Sequence, residues 1–219
     1  FFGKNDSRTL VIAITQSGET LDTIAALKEA RKNGASTLTI TNIIGSTATR
    51  ISDAFLLMQS GPEIGVAATK TFTSQLILMT LISLYLSLRY DEIGTDEFHQ
   101  HLKLLKTLPQ KIRKVFDTVE DIKKIAKQLS NAESAFFIGR GLWYPLAREG
   151  ALKLKEISYI HAEGFPAGEL KHGPFALLTE NTPVIALVHR GKTYDKILSN
   201  IGEIKARGPT VYAIAEDDD

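Results

Sequence analysis

Hydrophobic and polar positions alternate between two periods along this chain of 219 residues. Residues 9–15 (TLVIAIT) form a continuous run rich in β-branched side chains, the pattern of a strand covered on both faces. Residues 20–33 switch to helical spacing through Leu21, Ile24, Ala25, Leu27 and Lys28, and Gly34 closes that helix as a C-terminal cap. Residues 36–42 read as a strand, 47–52 as a short helix and 54–59 as a third strand. A long apolar helix is expected over 69–88, followed by two amphipathic helices at 96–107 and 111–130. The pattern then restarts. Residues 135–139 read as a strand, 143–159 as a helix, 183–189 as a strand, 194–206 as a helix and 210–215 as a strand. Strand and helix joined by short glycine-containing turns is the βαβ pattern of a doubly wound parallel sheet.

The restart is an internal repeat. Val11-Ile12-Ala13-Ile14 lies over Val184-Ile185-Ala186-Leu187, and Gly18, Thr20 and Asp22 match Gly191, Thr193 and Asp195. With a slip of one residue, Glu29 and Gly34 match Glu203 and Gly208. Two copies of one α/β domain are the reading, over residues 1–108 and 109–219. Each copy keeps elements that the other lacks, so both are expected to be truncated. The Asp217-Asp218-Asp219 tail falls at such an end.

Composition narrows the function. Lys plus Arg is 26 against 25 for Asp plus Glu, a net charge of +1. No basic excess recruits nucleic acid, so any anion site must be local. Cysteine is absent, which excludes disulfides and thiol chemistry and fits a reducing, cytoplasmic compartment. The most apolar stretch, residues 76–86, is too short to span a bilayer and reads as a buried helix, so no membrane partner is expected.

Four segments carry candidate chemistry. Thr15-Gln16-Ser17-Gly18-Glu19-Thr20 leaves a buried strand and enters a helix, whose amino end offers free N–H groups and a positive dipole. Its hydroxyls and amide suit a phosphate; the same residues also serve as a simple helix cap. The matching turn at residues 189–193 is basic and poor in hydroxyls, and reads as a solvated turn. Residues 60–71 (SGPEIGVAATKT) precede the long helix and are either a polar lining or a tight connection. Glu149, Lys153 and Glu156 fall on one helix face, as an acid–base group or a solvated ion pair. Arg140, between two glycines at a strand's carboxyl end, is equally open. His172 lies in a segment bounded by Gly and Pro, where a lone His is more often structural or exposed than catalytic, while a His working with a Glu can divide acid–base labour. No metal-ligand spacing or nucleophile triad appears.

Taken together, ITQSGETLDT, GPEIGVAATKTFTSQL, LKLKEISYIHAE and GELKHGP resemble the isomerase portion of the glutamine:fructose-6-phosphate amidotransferases, a pair of sugar isomerase (SIS) domains. The last two motifs are the more diagnostic, and the resemblance covers nearly the whole chain. It implies tandem flavodoxin-like, three-layer αβα domains. It also implies that Thr15, Gln16, Ser17 and Thr20 hold a sugar phosphate and that Val66 and Ala68 line the sugar. Glu156 would move a proton between C1 and C2, His172 would assist ring opening, and Lys153 would stabilise developing charge. Ala68 stands where many members carry Ser. The implied ligands are fructose 6-phosphate and glucosamine 6-phosphate, with no cofactor or metal. The implied partners are a glutaminase domain of the same parent chain and a second copy in a homodimer, where His172 can serve the neighbour's pocket.

Overall fold

The computed structural model describes residues 8–216; the acidic tail at 217–219 lies outside them. The chain divides into two units, Phe1–Lys111 and Ile112–Asp219.

The first unit opens with β1 (Leu10–Ile14), α1 (Leu21–Lys32), β2 (Ser36–Thr41), α2 (Thr47–Ile51) and β3 (Ala54–Leu57), and continues into α3 (Lys70–Arg89). The three strands pair in parallel in the order β1-β2-β3, with Val11 opposite Thr37 and Leu38 opposite Ala54. Helix α1 buries Ile24, Leu27 and Ala30. These recur every three residues, so they form one stripe that meets the sheet. Leu27 packs with Ala13 of β1 and Ala48 of α2.

Helix α4 (Thr95–Val115) carries the chain into the second unit, which adds α5 (Val119–Leu129), β4 (Ser134–Gly139), α6 (Trp143–Ser158) and β5 (His161–Pro166). Two 3-10 segments, Ala167–His172 and Pro174–Leu177, lead to β6 (Val184–Leu187), α7 (Tyr194–Lys205) and β7 (Val211–Ile214). All four strands are parallel in the order β5-β4-β6-β7. Chain direction across the sheet therefore reverses between β4 and β6, the doubly wound arrangement. The core joins Phe136, Ile138, Val184 and Ala186 of the strands to Leu170, Ile197 and Ile204 of the covering segments. The offset that lays Val11 on Val184 also lays α1 on α7, end for end. The sequence repeat is thus a repeat of one strand–helix–strand unit.

Three expectations need correction. The helix break expected between residues 107 and 111 does not occur. Helix α4 runs through Pro109, and the interruption is a 3-10 turn at Phe116–Thr118. Pro109 is exposed, so water can satisfy the carbonyl that loses its N–H partner. The apolar stretch at 76–86 is not a buried helix either. It belongs to α3, whose only buried residue is Thr71 and which leaves Leu76, Tyr85 and Leu86 exposed. At 20 residues that helix is long and apolar enough to cross a membrane by length and composition, although core helices of soluble proteins pass the same test. Finally, β5 and both 3-10 segments were not foreseen. Their glycines and prolines read as loop, and a 3-10 turn is too short to declare a period.

Candidate active site

At the carboxyl end of β1 the chain turns sharply to enter α1, and the turn is pinned from several sides. The Thr15 N–H donates to the Ile40 carbonyl at 3.0 Å, the Asn42 N–H to the Gln16 carbonyl at 3.0 Å, and the Ala48 N–H to the Gly18 carbonyl at 2.9 Å. The Thr41 hydroxyl also reaches the Gln16 carbonyl, at 3.1 Å. Gly18 sits at φ +71°, and a Cβ there would lie 2.5 Å from the Ser46 Cβ and closer still to its hydroxyl. Only glycine combines that left-handed backbone with that close approach.

The side chains divide their work. Thr15 is buried, and its hydroxyl accepts the Gly18 N–H at 3.2 Å. The Ser17 hydroxyl accepts the Glu19 N–H at 3.2 Å. Thr20 occupies the cap position of α1 with no side-chain cap bond, and its hydroxyl meets only that of Thr15, at 3.4 Å. The Thr20 side chain therefore leaves the first amides of α1 uncapped, and its hydroxyl makes a long contact to that of Thr15. Such an end favours an anion.

Glu19, the one acid in the turn, faces away from this role. Its carboxylate accepts the Thr47 N–H at 2.7 Å, at the start of α2. Hydrogen bonding from the Thr47 side chain, and then from its N–H, holds the Glu19 pKa below the ordinary carboxylate value, with help from Arg50. Ser46, Thr41 and the Glu19–Thr47 tie were not singled out from sequence.

The segment before α3 behaves differently. The Glu63 carboxylate takes both the Thr71 N–H at 3.1 Å and its hydroxyl at 2.6 Å, and the Thr71 hydrogen bonds lower the Glu63 pKa. Here an internal carboxylate already occupies the amino end of the helix. Asn42 ties the start of the segment down, accepting the Ser60 N–H at 3.0 Å and donating to the Gly61 carbonyl at 2.6 Å. Val66 is almost fully exposed, at 86%, and Ala68 is half-buried.

In the second unit, α6 packs directly onto β5. A Cβ on Gly164 would lie 2.5 Å from the Arg148 Cα, a separation no side chain at that position permits. The helix presents Glu149, Lys153 and Glu156 together. The Lys153 ammonium lies 2.6 Å from Glu156 and 3.4 Å from Glu149, with the three side chains only 20–26% exposed. Burial alone pushes the Lys153 pKa down, but the hydrogen bond to Glu156 and the charges of both carboxylates outweigh it, and the net shift is upward. This is not the solvated pair of a surface helix. It is a fixed ammonium between two carboxylates, largely withdrawn from water.

The 3-10 segment that follows buries Ala167 and Leu170, three residues apart, and turns His172 outward. The structure thus gathers Thr15, Gln16, Ser17 and Thr20 in one turn, and Lys153 and Glu156 on one helix. His172 is not joined to either pair. The turn at 189–193 is partly committed: the His189 ring lies 4.9 Å from the Trp143 ring, and its Nδ1 pairs with Glu216.

Comparisons with known proteins agree with this architecture. The family model described as SIS domain matches residues 4–84 and 128–219. The chain is 53% identical over 211 residues to a glutamine–fructose-6-phosphate aminotransferase (isomerizing) of Methanosarcina acetivorans, covering 96% of this chain and 34% of that protein. It is 46% identical over 218 residues to the protein of the same name from Corynebacterium glutamicum, covering 98% and 35%. Among solved structures it superimposes with a TM-score of 0.93 and 39% identity on the C-terminal domain of glucosamine-fructose-6-phosphate aminotransferase from Francisella tularensis, covering 95% of this chain and 59% of that one. The chain spans about a third of the length of the curated relatives it matches. Two matches to one family model, laid over two parallel α/β units, settle the kinship: this chain belongs to the SIS-domain family.

Proposed function

We propose that this chain is the sugar-phosphate isomerase part of an enzyme that converts fructose 6-phosphate and glutamine to glucosamine 6-phosphate and glutamate. The observation that carries the reading is the withdrawn Lys153 between Glu149 and Glu156. A ketose-to-aldose conversion is a 1,2-proton transfer. It needs one base that removes a proton at C1 and returns it at C2, and a cation near the oxygens that gain charge in between. Glu156 is the base and Lys153 the cation. His172 moves the proton to and from the ring oxygen as the sugar opens. Thr15, Gln16, Ser17, Thr20 and the amides of α1 hold the phosphate, whose binding energy positions carbons that it does not touch. Val66 and Ala68 contact the sugar. The high identity to the aminotransferases supports this choice among phosphosugar chemistries.

The reading places the chain in a cytoplasmic homodimer, with a glutaminase domain of the same polypeptide supplying ammonia. The test uses a protein that carries this chain at the full length of its relatives. Interconversion of fructose 6-phosphate and glucose 6-phosphate, and formation of glucosamine 6-phosphate with glutamine supplied, are followed in wild type and in Glu156→Gln. Turnover in the first and its loss in the second is the expected result. Tight binding without turnover in wild type would contradict the enzymatic reading, and undiminished turnover in Glu156→Gln would contradict the assigned base.

A further inference from the structure

His172 points away from the core, so something other than its own contacts must hold its segment in place. Two anchors are apolar: Ala167 and Leu170 are 2% and 0% exposed. They seat the segment in the core of the second unit. The other support is Arg140, at the carboxyl end of β4. A Cβ on the preceding Gly139 would lie 2.5 Å from the Trp143 carbonyl carbon, and the following Gly141 adopts φ +55°. The chain therefore turns abruptly around Arg140. Its Nη1 donates to the Asn200 Oδ1 at 2.8 Å. Asn200 is a polar residue of α7 that is only 6% exposed, and its amide is steadied by Glu203 at 3.4 Å. The same guanidinium lies against the 3-10 segment: a Cβ on Gly168 would come within 3.0 Å of the Arg140 Nη1. One planar group thus spans β4, α7 and the backbone just ahead of His172. Its hydrogen-bond partner there is a neutral amide, so the contact acts through geometry. A guanidinium suits this bracket because its donors form a rigid fork, which an ammonium cannot reproduce.

We infer that Arg140, locked by Asn200, is a positioning residue: it sets the placement of the Gly168–Gly173 stretch and, through it, of His172. The inference rests on the reading of His172 as the group that assists ring opening. A displacement of about 1 Å at such a group costs on the order of 100-fold in rate.

The test has two arms. In a protein of the relatives' full length, Arg140→Gln is expected to lower kcat on fructose 6-phosphate by about 10-fold or more with KM changed far less, as for a group that acts only in the chemical steps. Asn200→Asp keeps an acceptor for the guanidinium and is expected to retain kcat. In a His172→Ala background, Arg140→Gln is expected to lower kcat no further, because residues that act as a unit are not additive. Independent, additive losses would overturn the inference. An unchanged kcat in His172→Ala would overturn the ring-opening reading itself and this inference with it. The second arm needs no activity. Hydrogen exchange on this chain is expected to accelerate at the amides of residues 168–173 in Arg140→Gln, with β4 and β6 unaffected. Arg140→Lys, which keeps the charge without the fork, gives the same local effect should the first variant fail to fold. Unchanged exchange in that stretch in both variants would overturn the bracket.

Discussion

Gly18→Ala probes the turn on which phosphate binding depends. Two costs arise, and the structure separates them. An alanine at φ +71° adopts the left-handed conformation at about 1–2 kcal/mol. Its Cβ would also lie 2.5 Å from the Ser46 Cβ, and forcing an extra methyl into such a contact costs about 1–3 kcal/mol. The sum, about 2–5 kcal/mol, is a large share of the 5–15 kcal/mol that ordinarily holds a domain together. Urea unfolding of Gly18→Ala, Ser46→Gly and the double variant forms the cycle. The double variant regains the steric part and retains a deficit of about 1–2 kcal/mol, the backbone cost alone. Because the Gly18 carbonyl also accepts the Ala48 N–H at 2.9 Å, phosphosugar affinity should fall in Gly18→Ala and recover partly in the double variant. A Gly18→Ala loss below about 1 kcal/mol, or no rescue by Ser46→Gly, would refute the reasoning.

The hydroxyls of the turn should matter for ligand more than for folding. Ser17→Ala with Thr20→Ala is expected to weaken phosphosugar binding by about 1–3 kcal/mol, while Thr20→Ala alone, which removes no cap bond, changes stability by less than about 0.5 kcal/mol; calorimetry and denaturation read the two. Lys153 predicts an alkaline signature. Its pKa is raised on folding, so its stabilisation is complete below the unfolded value of about 10.4 and fades as pH rises through the folded value. Lys153→Met should destabilise the chain at neutral pH by about 1–4 kcal/mol and lose that alkaline slope; an unchanged slope counts against the ion triad. Gly164→Ala should be costly because the obstruction is the Arg148 backbone. About 3 kcal/mol is expected, seen as a fall of roughly 6–12 °C in the melting temperature, and a neutral effect would mean that α6 and β5 are less closely packed.

How much of this was legible in the sequence depended on whether the signal was periodic. The β-branched run up to Thr15 and the helical spacing of Leu21, Ile24, Ala25, Leu27 and Lys28 placed β1 and α1 closely, and the repeat placed β6, α7 and β7. Residues 161–177 were opaque. Their order comes from Leu170 and Phe175 reaching the core, a tertiary fact that neither a 3.6 nor a 2.0 period records. Pro109 misled because a helix-breaking residue is tolerated where water can replace the lost bond. The face bearing Glu149, Lys153 and Glu156 was visible as spacing, but its withdrawal from solvent was not, and that separates a site from a surface pair. Gly18 was legible only as part of the turn and of the repeat; the partner that demands it, Ser46, stands at the N-cap of another helix and could not be read locally.

The central claim is that Glu156 carries a proton between C1 and C2. Its most direct test is isotopic: a full-length protein carrying this chain is run in deuterium oxide, and the recovered glucosamine 6-phosphate and fructose 6-phosphate are examined by proton NMR. Exchange of a carbon-bound hydrogen at C2 of the aldose and C1 of the ketose with solvent, abolished in Glu156→Gln while phosphosugar binding persists, is the predicted result. Wild-type levels of solvent exchange in Glu156→Gln would contradict it.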